Sequence, residues 1–103
     1  MSIELSAANF EKETQVAGPV IVDFWAPWCN PSRMLAPVLE ELAKDKPDVK
    51  VCKVNIDEEQ ALAASYGVQS IPTVIVFKNG QILATLVGVR PYDAYTAEID
   101  KAL

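Results

Sequence analysis

Apolar and polar positions along this chain repeat with two different periods, and the switches between them divide it into elements. Positions 20–25 (VIVDFW) form a nearly continuous apolar run, the pattern of a strand covered on both faces. Positions 51–56 (VCKVNI) and 73–77 (TVIVF) read the same way, and 82–87 (ILATLV) follows after Lys78-Asn79-Gly80-Gln81. Asn-Gly between two such runs is a strong hairpin signal. A short stretch at 3–5 predicts a first strand.

Helical spacing fills the gaps. Ser6 is placed to cap a helix reaching about Val16, with Phe10 and Val16 facing inward and Gly18-Pro19 as its stop. From Pro31 to about Lys44, the residues Met34, Leu35, Val38, Leu39 and Leu42 fall on one face. Pro31 suits a first turn, whereas Pro37 removes an interior hydrogen bond and is expected to bend the helix. Asp57 and Gln60 predict a capping pair for a short helix ending at Tyr66, with Gly67 as terminator. Pro91 opens a last helix whose inner face is Tyr92, Tyr95, Ile99 and Leu103. The order is β α β α β α β β α. Right-handed parallel crossovers followed by an antiparallel hairpin predict an α/β fold, a mixed central sheet with helices on both faces.

Composition narrows what such a chain does. Its 103 residues suffice for one compact domain, 1–103, with one core. Nine basic residues against fourteen acidic ones give a net charge of -5, which speaks against nucleic acid and against anionic membranes as partners. The first ten residues lack a basic region followed by an apolar stretch, and no run approaches transmembrane length, so a cytoplasmic protein is expected. Two cysteines, Cys29 and Cys52, and no histidine exclude a Cys/His zinc site within one chain and any histidine-based triad.

The chemistry concentrates at Cys29. It follows an aromatic-rich strand end and precedes a helix, where free N–H groups favour an anion. A helix terminus contributes roughly 0.3–2 kcal/mol to such an anion, so local hydrogen bonds must add to it. The competing reading of Cys29 is a small buried hydrophobe. Asp23 sits inside an apolar strand, where burial raises the pKa of a carboxyl group; the alternative is a solvated residue at a sheet edge. Cys52 alternates with Val54 and Ile56, as a buried, inert thiol would.

With the elements placed, the chain resembles the thioredoxin family. The residues that carry the resemblance are VDFWAPWC (22–29), Pro31, MLAPVLEELA (34–43), KVNID (53–57), YGVQSIPTVIVFKNG (66–80) and Gly88, in the family's order over essentially the whole chain. The resemblance implies the thioredoxin fold, with a central mixed five-stranded sheet flanked by four helices. The family's motif is Trp-Cys-Gly-Pro-Cys, whereas this chain reads Trp28-Cys29-Asn30-Pro31-Ser32.

The resemblance also implies roles. Cys29 is the nucleophile of thiol–disulfide exchange. Ser32 stands where the second sulfur would be, one helical turn on and facing Cys29. Its hydroxyl is able to donate to a thiolate but not to resolve a mixed disulfide, because that exchange needs sulfur. Ser32 then marks either a natural monothiol form or a Cys→Ser variant, and the plainer reading is a helix-N-terminal serine. Asn30 has no assigned role. Asp23 matches a proton donor or acceptor near the cysteine pair, and Lys53 matches the lysine close to it. That pairing puts Cys52 level with Val22, too far from Cys29 to bridge. Pro72, in Ile71-Pro72-Thr73, matches the family's cis-proline loop facing the reactive cysteine, and the Ile71 backbone is free to pair with an extended substrate. Trp28, Ile71, Pro72, Val87, Gly88 and Val89 form the implied substrate groove, and Pro31 supports the motif.

The implied activity is protein-disulfide reduction, compromised by Ser32, in a monomer without a resident cofactor. Disulfide-bearing proteins and glutathione are the implied partners, joined by thioredoxin reductase if the parent is a dithiol protein. Two other readings stand beside it. One is a non-catalytic peptide-binding or scaffold module. The other is a glutathione-assisted iron–sulfur site of the Cys-x-x-Ser kind, which visible colour in purified protein would reveal.

Overall fold

The computed structural model describes residues 2–103. Five strands, β1 (Ile3–Glu4), β2 (Pro19–Trp25), β3 (Lys50–Asn55), β4 (Thr73–Lys78) and β5 (Gln81–Val87), alternate with four helices, α1 (Phe10–Thr14), α2 (Asn30–Asp45), α3 (Gln60–Ser65) and α4 (Tyr92–Ala102). The sheet order is β1-β3-β2-β4-β5. β1 and β2 run parallel to β3, whereas β4 is antiparallel to both β2 and β5. Asn79 and Gly80 both take positive φ, 54° and 78°, the pair of left-handed residues that a tight hairpin turn between twisted strands requires.

Strand alternation sends successive side chains of β2 to opposite layers. Val20, Val22 and Phe24 join Phe10, Val54, Ile75 and Phe77 under α1 and α3. Ile21 joins Leu35, Leu39, Leu42, Tyr95 and Ile99 under α2 and α4. Asp23 and Trp25 share the parity of Ile21, so both point toward the α2 layer. In β3, Lys53 lies opposite Asp23, and Cys52 lies opposite Val22 with its side chain among the α1/α3 core.

Four local expectations are corrected. The first helix runs only from Phe10 to Thr14. Ser6 instead organises the preceding turn, its carbonyl accepting from the N–H groups of Asn9 and Phe10, and Gln15 leaves helical geometry at ψ 67°. Met34 is 65% exposed rather than inward; at about 100° per residue it lies roughly a quarter-turn or more to the side of Leu35, Leu39 and Leu42, past the edge of their stripe. Leu103 is exposed, and Ala102 takes the inward place at the end of α4. Asp57 and Gln60 form no reciprocal cap: the Gln60 side-chain amide donates to the main-chain carbonyl of Asp57. The end of α3 is as expected, with Gly67 at φ 68°, its N–H on Ala64 O and that of Val68 on Ala63 O.

Candidate active site

Cys29 is the residue before α2, in extended conformation, with Pro31 in the first turn of the helix. Its N–H donates to Ala26 O, and its carbonyl accepts from the Arg33 N–H at 3.1 Å. The side chain is half-buried, and its thiol donates to the carbonyl oxygen of Ile71 at 3.7 Å. The Ile71–Pro72 bond is cis. Pro72 O in turn accepts from the Gly88 N–H at 2.8 Å, tying the end of β5 to the same loop. Gly88 has φ 84°, a conformation that side chains beyond glycine rarely adopt.

Exposed apolar side chains stand on the segments next to Cys29 and the cis-proline loop. Trp28 is 66% exposed, and Val87 and Val89 are exposed beyond it; Ile71 is half-buried and Pro72 buried. The Trp28 indole does not swing free. Its Nε1–H donates to both oxygens of Asp57, at 2.9 and 3.2 Å.

Between the start of α2 and the ends of β2 and β3 lies a cavity of about 220 Å³ walled by Asp23, Trp25, Ser32, Arg33, Ala36 and Lys53. Among the described residues, the buried side-chain polar atoms without a hydrogen-bond partner are Asp23 Oδ1, Trp25 Nε1 and Ser32 Oγ. All three belong to residues of this one wall. Burial pushes the Asp23 carboxyl up to about 7, against the opposing pull of the Lys53 ammonium. The ammonium also sits 5.4 Å from the centre of the Trp25 ring. Ser32 is buried, and its hydroxyl makes no hydrogen bond to Cys29. Cys52 is fully buried in the opposite layer. Burial pushes its thiol up to about 12, with Lys50 lowering it and Glu13 raising it.

A cysteine at a helix start, held against a cis-proline loop over a buried carboxylate, is an arrangement with relatives. The thioredoxin family model matches residues 1–101. Thioredoxin 1 of Synechococcus elongatus is 49% identical over 98 residues, covering 93% of this chain and 92% of its own. Thioredoxin of Haemophilus influenzae is 54% identical over 91 residues, covering 86% and 85%. A mutant thioredoxin from Halobacterium salinarum NRC-1 matches in structure with a TM-score of 0.92 at 35% identity, covering 98% of this chain and 89% of its own. The chain belongs to the thioredoxin family.

Thioredoxins are thiol–disulfide oxidoreductases, and the structure places the sequence-predicted residues in two groups. Cys29, Trp28, Ile71, Pro72, Val87, Gly88 and Val89 meet at the end of the sheet, while Asp23, Lys53 and Ser32 line the cavity beneath. Cys52 lies apart from both groups. Two participants escaped the sequence reading. Asp57 was absorbed into a helix cap, although its place just past a strand end left it equally free to meet Trp28. The sequence pattern gives Trp25 no role beyond the strand, although its parity with Asp23 aims it into the α2 layer.

Proposed function

We propose that this thioredoxin-family chain performs the first half of dithiol exchange and stops there. The Cys29 thiolate attacks a disulfide R–S–S–R′. The old S–S bond breaks, a Cys29–S–S–R bond forms, and R′–S⁻ leaves with the electron pair. The thiol proton goes to solvent. Release of R then needs a second sulfur, and position 32 offers an oxygen, which does not carry out that exchange. Turnover therefore waits for an external thiol such as glutathione. Disulfide-bearing proteins are the substrates, and a dithiol form would use a thioredoxin reductase for recycling.

The observation that carries the reading is the Cys29 thiol directed at the Ile71 carbonyl, beside the cis-proline, beneath an exposed apolar rim. The main chain of Ile71 is suited to pair with an extended substrate. The Ser32 Oγ, which has no protein hydrogen-bond partner, supports the account of the second position: a thiol tolerates that lack better than a hydroxyl does. Asp23 is the buried proton acceptor of the dithiol reaction, left without a thiol to serve. Restoring sulfur with Ser32→Cys and following disulfide reduction driven by dithiothreitol tests the reading. The variant should turn over, and the protein as it stands should lag far behind it. Equal rates would overturn the role given to Ser32.

A further inference from the structure

The chain contains two arginines, Arg33 and Arg90, one in the first turns of the helix that follows Cys29 and one beyond the Gly88 segment tied to the cis-proline loop. Arg33 lies one helical turn beyond the cysteine, its N–H on Cys29 O, and it shares a wall with Trp25 and Lys53 toward β3. Arg90 lies on the other side, past the end of β5. The Gly88 N–H on Pro72 O, the Arg90 N–H on Tyr95 Oη at 3.1 Å and Arg90 Nε on Val87 O at 3.2 Å pin that segment against the cis-proline loop. The sheet order β3-β2-β4-β5 sets Arg33, on the β3 side, and Arg90, past the end of β5, on opposite flanks of Cys29.

Neither is neutralised. Among the described residues neither arginine has a carboxylate partner, a condition shared with lysines elsewhere on the chain, whereas Lys50 pairs with Glu13 and Lys101 with Glu98. Both are exposed. Asp57, beside Trp28, is engaged by its indole N–H, and Asp93 stands in the first turn of α4 three residues from Arg90. A chain of net charge -5 thus presents unpaired cations on either side of its reactive atom, with the apolar patch of Trp28, Ile71, Val87 and Val89 between them.

We propose that this rim selects disulfides whose cysteine lies in an extended segment with acidic residues on both sides. The proposal rests on the exchange reading of Cys29. An extended segment advances about 3.3 Å per residue, so residues next to the cysteine lie on the apolar patch while those farther out reach the arginines. A guanidinium takes a carboxylate through two parallel hydrogen bonds. Bracketing cations speed the approach of such a segment and slow that of a basic one.

The test uses three peptides that differ only in their flanks, Glu, Gln or Lys, each carrying its cysteine as a mixed disulfide with thionitrobenzoate. Cys29 attacks the peptide sulfur, forms the Cys29–peptide disulfide and releases coloured thionitrobenzoate. Rates are normalised to attack by a small neutral thiol, so that intrinsic peptide reactivity cancels. At low ionic strength the Glu peptide should react about three- to tenfold faster than the Gln peptide, and the Lys peptide more slowly still. At about 0.5 M salt the spread should shrink. In the double variant Arg33→Gln, Arg90→Gln, the ratio of Glu to Lys rates should fall toward one. Equal rates for all three peptides, or a preference that survives the double variant, overturns the charge proposal while exchange at Cys29 stands. Failure to release thionitrobenzoate from even the Gln peptide overturns the exchange reading, and this proposal with it.

Discussion

Trp28 and Asp57 are joined through a single indole N–H shared between two carboxylate oxygens, at 2.9 and 3.2 Å. The bond ties the exposed aromatic edge of the reactive rim to the residue just past β3. Both partners are exposed, so solvent screens the contact and it is worth about 0.5–1 kcal/mol. Its consequence is positional. Asp57→Ala should leave the fold intact and lower the melting temperature by a few degrees, about 2–6 °C. It should also shift Trp28 fluorescence toward that of a freely solvated indole and slow adduct formation at Cys29. Unchanged fluorescence would show that the ring is held by its packing alone.

Asp23 makes stability depend on pH in an unusual direction. Its carboxyl is raised from 3.8 to about 7 by burial. Between about pH 4 and pH 7 the folded protein therefore keeps a proton that the unfolded chain has released. Stability falls as pH rises through that window, by about 4 kcal/mol. Below the window both states are protonated and the penalty vanishes; above it the penalty is complete. Asp23→Asn removes the titration, so urea unfolding should find the variant several kcal/mol more stable at pH 8 and nearly unchanged at pH 4. Parallel pH profiles for the two proteins would contradict a buried, destabilising carboxylate.

Ser32 carries a second stability cost. Its hydroxyl is 1% exposed at the residue level and has no hydrogen-bond partner, a condition that costs about 1–3 kcal/mol. Ser32→Ala, and reduced Ser32→Cys, should each gain about 1 kcal/mol or more and melt about 4–8 °C higher. Calorimetry under reducing conditions measures this. A lower melting temperature for Ser32→Ala would mean that the hydroxyl is satisfied after all.

Much of this was legible in the residues. Strands showed as runs because β2, β3 and β4 are buried on both faces, and Asn79-Gly80 announced its turn because few other pairs adopt two left-handed conformations. The α1 boundary was misread because Ser6 and Gly18 punctuate a longer segment, in which the chain breaks helical geometry at Gln15. Met34 deceived because apolar residues crowd α2, and spacing alone does not tell the edge of a stripe from the position just past it. The place of Cys29 between a strand end and the start of α2 was readable from the sequence. What surrounds it was less so: the cavity joining Asp23, Trp25 and Ser32 depends on three elements meeting at their ends, and the Trp28–Asp57 bond spans 29 positions of sequence. Arg33 and Arg90 are separated further still, and only the cis-proline loop and the end of β5 bring the second of them to the rim.

The most direct test of a thiol that begins exchange and lacks the means to finish it is intact mass after brief exposure to a peptide disulfide. The protein as it stands should accumulate a stable one-to-one adduct on Cys29 that persists until an external thiol is added. Ser32→Cys under the same conditions should shed the peptide and lose two hydrogens as its own disulfide closes. Spontaneous return of the unmodified protein to its free-thiol mass, or an adduct on Cys52 in place of Cys29, would contradict the account.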